Sequence, residues 1–222
     1  WLARRVRAKL VLIARSVLPP REDWARYLEK SPAGDSTRAK IERLVAIEAL
    51  GAEVMVASAD VGDRQQMAAV VAAAKTRFGA IHGVIHAAAV PGGGMLQRQT
   101  PQTFAAALAP KVHGTRILES LLRDSGLDFM ALCSSLASFM SLPGRADYVS
   151  ANAFIDAYAH AHAGRDGPRV IAINWDTWVD AGMSVTQLVS EGREHVAEDG
   201  MRNEEGIEAF RRILAGSSPQ VI

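Results

Sequence analysis

The chain has 222 residues, 49% of them hydrophobic, which fits one globular domain with a substantial core. Its 25 basic and 24 acidic side chains leave a net charge of +1, which excludes a nucleic-acid surface or a polyanionic tail as the organising feature. One cysteine, Cys133, excludes an internal disulfide and points to a reducing, cytoplasmic setting, and no apolar run reaches the roughly 20 residues of a membrane span.

The chain opens on Trp1, and "WLARRVRAK" reads as the last turns of a helix, as if cut from something longer. "KLVLIAR" (9–15) is a buried-strand pattern. The stretch 17–50 carries two helical segments, 21–30 and 36–50, where a strand–helix unit needs one. Ser36 is the expected N-cap of the second. The extra helix reads as an exposed insertion with a contact surface. "AEVMVASAD" (52–60) is a second strand, and "RQQMAAVVAAAKTRF" (64–78) a helix stopped by Gly79. A third strand at 81–89 runs into the glycine-rich "PGGG". A helix follows at 101–124, with Pro110 and Gly114 as expected irregularities. The remaining pattern is a strand at 128–135, a long helix at 144–164, a strand at 169–176, an amphipathic helix at 204–216 and an edge strand "PQVI".

Near-continuous apolar strands alternating with helices predict α/β architecture, a doubly wound parallel sheet covered on both faces. Such sheets bind ligands beyond the carboxyl ends of their strands. The polar residues cluster there: Arg15 and Ser16, Asp60, Gly92 to Gly94, Ser134 and Ser135, and Asn174 to Thr177.

Tyr148 and Asn152 stand four apart on one helix, hence on one face. If the chain doubles back, Ser135 and Tyr148 aim at one spot, where two hydroxyls can bind and protonate a carbonyl oxygen. A tyrosine serving near neutrality needs a cation beside it, and Lys111 in "APKVHGT" is available. Spacing alone leaves a second reading open, a buried tyrosine that satisfies its hydroxyl on backbone. The histidines, His86 and His113 among them, lack metal-ligand spacing, so no metal site is expected.

The pieces "VLIARS", "GAEVMVASADVGD", "GVIHAAAV", "APKVHGT", "CSSLAS", "GRADYVSANAFIDAYAH" and "INWDTWVDAGM" resemble, in order, the ketoreductase (KR) domains of modular polyketide synthases and related fatty-acid synthases. These are short-chain dehydrogenases/reductases with a Rossmann-like fold. Most of that superfamily places a lysine four residues after the tyrosine. Here Asn152 takes that place and Lys111 comes from the preceding helix, as polyketide ketoreductases arrange them.

The resemblance implies reduction by NADPH of the β-ketone of an acyl chain on an acyl carrier protein, beside neighbouring synthase domains. It implies catalytic roles for Tyr148 as proton donor, Ser135 as oxygen binder, Lys111 as the cation that lowers the tyrosine pKa, and Asn152 in the proton relay. It implies cofactor contacts for Arg15 and Ser16 on the 2′-phosphate, Asp60 and Val61 on the adenine, and Ala87 and Ala88 along the dinucleotide. It also implies a substrate lid over 184–203. Ser134 is expected to be structural.

Two departures stand beside the resemblance. The family's first strand and its glycine-rich pyrophosphate turn do not appear in this sequence, and "PGGG" follows a different strand. The family's stereochemical markers are also missing. Pro91-Gly92-Gly93 stands where one class has Leu-Asp-Asp, and Met140 stands where the other has tryptophan. The glycines suggest a more flexible or open wall. Two other readings remain: a non-catalytic ketoreductase-like scaffold, and a free-standing short-chain carbonyl reductase.

Overall fold

The computed structural model describes residues 1–140, 143–180, 182 and 200–222. The chain divides into two compact units, Trp1–Ala80 and Ile81–Ile222.

The first unit holds helix α1 (Leu2–Val6), strand β1 (Leu10–Ala14), a helical turn (Arg21–Asp23) running into α2 (Trp24–Lys30), then α3 (Ser36–Ala49), β2 (Val54–Ser58) and α4 (Arg64–Phe78). β1 and β2 pair in parallel, Leu10 opposite Val54 and Ala14 opposite Ser58. Asp35, not Ser36, caps α3, its carboxylate accepting the Arg38 amide at 2.6 Å. The aspartate offers a charged acceptor to the positive end of the helix.

The extra helix is largely exposed, as expected, and is anchored through one buried side chain. Trp24 of α2 is buried with Ile41, Leu44 and Val54, and its indole N–H donates to the Pro19 carbonyl at 2.9 Å. The Arg21 guanidinium stacks on its ring, 4.2 Å from the centroid, and pairs with Glu48 of α3. A tryptophan on the buried face turns the insertion into part of the core.

The second unit holds β3 (Gly83–His86), α5 (Pro101–Leu122), β4 (Phe129–Ser135), a turn (Leu136–Ser138), α6 (Ala146–His162), β5 (Arg169–Trp175), α7 (Asn203–Ala215) and β6 (Gln220–Val221). Its four strands form one parallel sheet in the order β3-β4-β5-β6. Alternation along the strands splits the two faces. Ala131, Ile171 and Ile173 face α7 through Ile213, Phe210 and Leu214. α6 packs on β4, β5 and β6, and α5 packs on α6. Helices therefore cover both faces, as the apolar strands require. Arg169 fastens α7 by donating to the Leu214 and Ile213 carbonyls at 3.0 and 2.9 Å, a cation at a helix C-terminus.

α5 begins with Thr100 as N-cap and runs unbroken through Pro110 and Gly114. The irregularities expected there are absorbed because the helix is long and packed along its length. Of the expected lid, 184–199 lie outside the described residues. Met201 bridges to Trp178, and α7 starts at Asn203.

Candidate active site

β4 delivers Cys133, Ser134 and Ser135 at the carboxyl end of the sheet, with Ser134 opposite Asn174 and Ser135 opposite Trp175 on β5. α6, which packs on β4 and on the turn after it, carries Tyr148 and Asn152.

Lys111 reaches this end from α5. It is only 4% exposed, and its ammonium donates to the Cys133 carbonyl at 2.5 Å. Burial pulls its pKa down to about 8, against the opposing pull of Cys133 and Asp156. His86 at the end of β3 is also buried, and Nε2 bonds the Pro110 carbonyl at 3.0 Å. That acceptor requires the proton on Nε2. Burial first, and the Lys111 charge second, bring the His86 pKa down to about 4. At neutral pH the pair is therefore a charged lysine beside a neutral histidine. Burial likewise pushes the Cys133 thiol pKa up, against its Trp175 contact and Lys111.

Asn152 is fully buried, and its amide N–H donates to the Tyr148 carbonyl at 2.8 Å. Among the described residues its Oδ1 has no hydrogen-bond partner, and neither does Oδ1 of the buried Asp156 one turn further on. The two serines differ. Ser134 Oγ faces the Asn152 carbonyl at 3.5 Å and accepts from Asn174 at 3.1 Å, a structural position. Ser135 Oγ accepts the Ala137 amide at 3.2 Å, which leaves its own O–H free to donate.

Beneath them, Asn174 Nδ2 lies within 3.3 Å of four acceptors: Ser134 Oγ, the Ser135 carbonyl, Ser138 Oγ and Asp156 Oδ2. Its two hydrogens satisfy two at a time. Its Oδ1 accepts from Gln220 at 2.9 Å, so β6 is tied into the same network.

The structure thus gathers Lys111, Ser134, Ser135, Tyr148 and Asn152 on elements that pack together. The other expected residues are carried by the ends of β1, β2 and β3. Ala87 and Ala88 follow β3, both exposed. In the first unit, Arg15 and Ser16 follow β1 and are exposed, while Asp60 and Val61 follow β2 and are partly buried. Ser16 Oγ accepts from Lys40 Nζ of α3 at 3.0 Å. The Asp60 carboxylate accepts the Gly62 amide at 2.8 Å, shaping the turn into α4.

Three residues of these networks are not singled out by sequence: Lys40, Asp156 and, as a hub, Asn174. Asp156 carries a signal, since Tyr148, Asn152 and Asp156 stand at i, i+4 and i+8 on one helix face. Lys40 carries none, being 24 positions from Ser16. Among the described residues no group of His, Cys, Asp and Glu is arranged to hold a metal, and no helix is long and apolar enough to cross a membrane.

The family described as "KR domain" matches residues 1–180. The chain belongs to the polyketide synthase ketoreductase domains of the short-chain dehydrogenase/reductase superfamily. It is 33% identical over 95% of its length to a phenolphthiocerol/phthiocerol polyketide synthase of Mycobacterium tuberculosis, of which it spans 11%. It is 31% identical over 96% of its length to "6-methylsalicylic acid synthase" of Aspergillus terreus, spanning 12% of that protein. The structure of "a ketoreductase domain from the bacillaene assembly line" superposes with a TM-score of 0.79 at 28% identity, over 99% of this chain and 50% of that one. The KR chain thus spans a small part of these curated relatives and half of that solved domain.

Proposed function

We propose that this KR chain serves an NADPH-dependent reduction of the β-ketone of a β-ketoacyl group, carried on an acyl carrier protein within a polyketide synthase, to the β-hydroxyacyl product. The observation that carries the reading is the Lys111 ammonium, buried at the end of β4 among Ser134, Ser135 and the helix that bears Tyr148 and Asn152. A fold gains nothing from a buried cation, so its retention at this end of the sheet points to chemistry there.

The bound cofactor would supply the hydride that adds to the ketone carbon. Tyr148 then gives its phenolic proton to the ketone oxygen, and Ser135, whose O–H is free, donates a second hydrogen bond to that oxygen. Lys111 keeps two ammonium protons beyond the one on the Cys133 carbonyl, available to a proton relay. Asn152 Oδ1, buried without a partner, offers an acceptor for the group that returns the proton.

Within the first unit, Arg15, Ser16 and Lys40 fit the 2′-phosphate that distinguishes NADPH from NADH. They give two cations and a hydroxyl beyond β1, where a phosphate finds opposite charge and a donor.

The test follows NADPH absorbance with a β-ketoacyl thioester for the protein and for Tyr148→Phe. The reading expects oxidation that falls at least about a hundredfold in the variant. Equal rates in both would reject Tyr148 as the proton donor, and no oxidation together with no NADPH binding would reject the reading in favour of a non-catalytic scaffold.

A further inference from the structure

Lys111 is buried and yet charged at neutral pH, so a group in the protein must oppose the loss of its proton. Burial pulls its pKa down to about 8, while Cys133 and then Asp156 pull it back up. The titratable groups coupled to it come from three elements. His86, on β3, is neutral near pH 7, since burial and the Lys111 charge bring its own pKa down to about 4. Cys133, on β4, is a thiol there and not a thiolate, because burial pushes its pKa up. Of these groups, Asp156 on α6 is the one that brings a negative charge to the lysine at neutral pH.

The packing supports that role. Asp156 is 7% exposed, one turn beyond Asn152 on α6. α6 packs on α5, which carries Lys111, and on β4, whose Cys133 carbonyl takes the lysine bond. Asp156 Oδ2 accepts from Asn174 at 2.9 Å, and the same Asn174 amide lies 3.1 Å from Ser134 Oγ. Lysine and aspartate are therefore tied to neighbouring residues of one strand, Cys133 directly and Ser134 through Asn174. Gln220 of β6 holds Asn174 in turn, at 2.9 Å, which fixes the direction of the carboxylate. Among the described residues Asp156 Oδ1 has no hydrogen-bond partner. An oxygen without a donor keeps its charge for its surroundings, and in a buried site that charge acts more strongly than in water. A satisfied amide or an apolar residue would fill the position at less cost, so the carboxylate answers to something other than packing.

We propose that Asp156 is a positioning residue for reduction, the counter-charge that keeps the Lys111 ammonium protonated at the end of β4, with Asn174 holding the carboxylate in place. Its consequence for catalysis rests on the reductase reading above. The relay needs a lysine that carries its protons. Without the counter-charge, burial alone decides, and the lysine sheds its proton closer to neutral pH. Asp156 acts through the lysine and not on the substrate.

Asp156→Asn removes the charge and keeps the shape, with an amide oxygen still able to accept from Asn174. The first readout needs no turnover. Lysine is labelled with carbon-13 at Cε, and the Lys111 signal, identified by its loss in Lys111→Met, is titrated by NMR. Lys9, Lys30, Lys40 and Lys75 are internal controls. The expected result is a Lys111 midpoint lowered by about one pH unit or more in Asp156→Asn. Asp156→Glu keeps the charge while disturbing the Asn174 bond, and its midpoint should stay near that of the wild type. The second readout is kcat/KM against pH with NADPH and a β-ketoacyl thioester. The alkaline limb should move to lower pH in Asp156→Asn by the same amount as the NMR midpoint.

An unmoved Lys111 midpoint in Asp156→Asn, or one that falls equally in Asp156→Glu, would overturn the counter-charge. A lowered midpoint with an unmoved rate profile would overturn the positioning role. A lowered midpoint with no turnover in the wild-type protein would reject the reductase reading, and the positioning role with it, and leave the charge pair standing. Should Asp156→Asn prove too unstable for NMR, a double-mutant cycle of urea unfolding with Lys111→Met decides. The pairing stabilises the fold while Lys111 is charged, so it is present below about pH 8 and is lost as pH rises through that value. Below it, Asp156→Asn should lower the urea midpoint more in the wild-type background than in the Lys111→Met background. Additive effects at every pH would overturn the counter-charge.

Discussion

Replacing Lys111 with methionine should stabilise the protein at neutral pH while abolishing reduction. The lysine pKa falls from 10.5 to about 8, and burial is the leading cause. At ~1.4 kcal/mol per pH unit, that displacement is a penalty of about 3 kcal/mol for holding the charge in the folded state. The folded pKa lies below the unfolded one, so the unfolded chain binds the proton more tightly between these values. The penalty is thus fully present below about pH 8 and is relieved as pH rises toward 10.5. Methionine fills similar volume without charge, but leaves the Cys133 carbonyl without its 2.5 Å partner, a loss of roughly 1 kcal/mol. The variant should therefore be about 2 kcal/mol more stable near pH 7 and about 1 kcal/mol less stable near the top of the window. Urea unfolding followed by circular dichroism at a series of pH values measures the difference, in which titrating groups cancel apart from His86 and Cys133, which feel the Lys111 charge. A variant that is less stable near neutrality, or a difference that does not move with pH, would refute a buried charged lysine.

Two further outcomes follow from the same unit. His86 has its pKa lowered from 6.5 to about 4, mainly by burial, so the unfolded chain binds more protons as pH falls through that range. Up to about 3 kcal/mol of stability should be lost across it, and His86→Gln should flatten that slope in acid titrations of unfolding. A Cβ at Gly206, in the first turn of α7, would overlap the Trp178 ring, which packs edge-on against Trp175 at 5.2 Å. Gly206→Ala should cost about 1–3 kcal/mol by overpacking, read as a lowered thermal midpoint.

Elements are legible in the sequence where periodicity and capping agree. "RQQMAAVVAAAKTRF" is α4 end to end, since Asp63 caps its start and Gly79 closes it. β4 and β5 stand out because mostly buried parallel strands read as unbroken apolar runs. What stays hidden depends on contacts between distant residues. Trp24 reads as part of an exposed insertion until α3 supplies the surface that buries it. "PGGG" reads as loose because glycine composition speaks for the backbone and says nothing of Asp147, some 54 positions away, whose carboxylate accepts the Gly93 amide. In the candidate site, the residue types are visible from spacing and resemblance. The charge state of Lys111 is not, because it follows from burial rather than from sequence.

The two faces of the second sheet show where its chemistry belongs. Alternate residues of the same strands point to opposite sides, so composition and strand register are shared and only the covering helices differ. On the α7 side the sheet meets its helix through Ala131, Ile171, Ile173 and Ile213, an apolar seam. On the α6 side, the carboxyl ends of those strands meet Ser134, Asn152, Asp156 and Asn174, all buried, with Lys111 reaching in from α5. That side leaves Oδ1 of Asn152 and Oδ1 of Asp156 without partners and gives Asn174 more acceptors than it has hydrogens. Each unmade bond costs about 1–3 kcal/mol, which apolar residues of similar size would recover. The same strands build an apolar seam on the other face, so the polar side is no requirement of the fold. Its unpartnered acceptors and its cation are what a site needs if the remaining partner is a substrate oxygen and the proton passed to it.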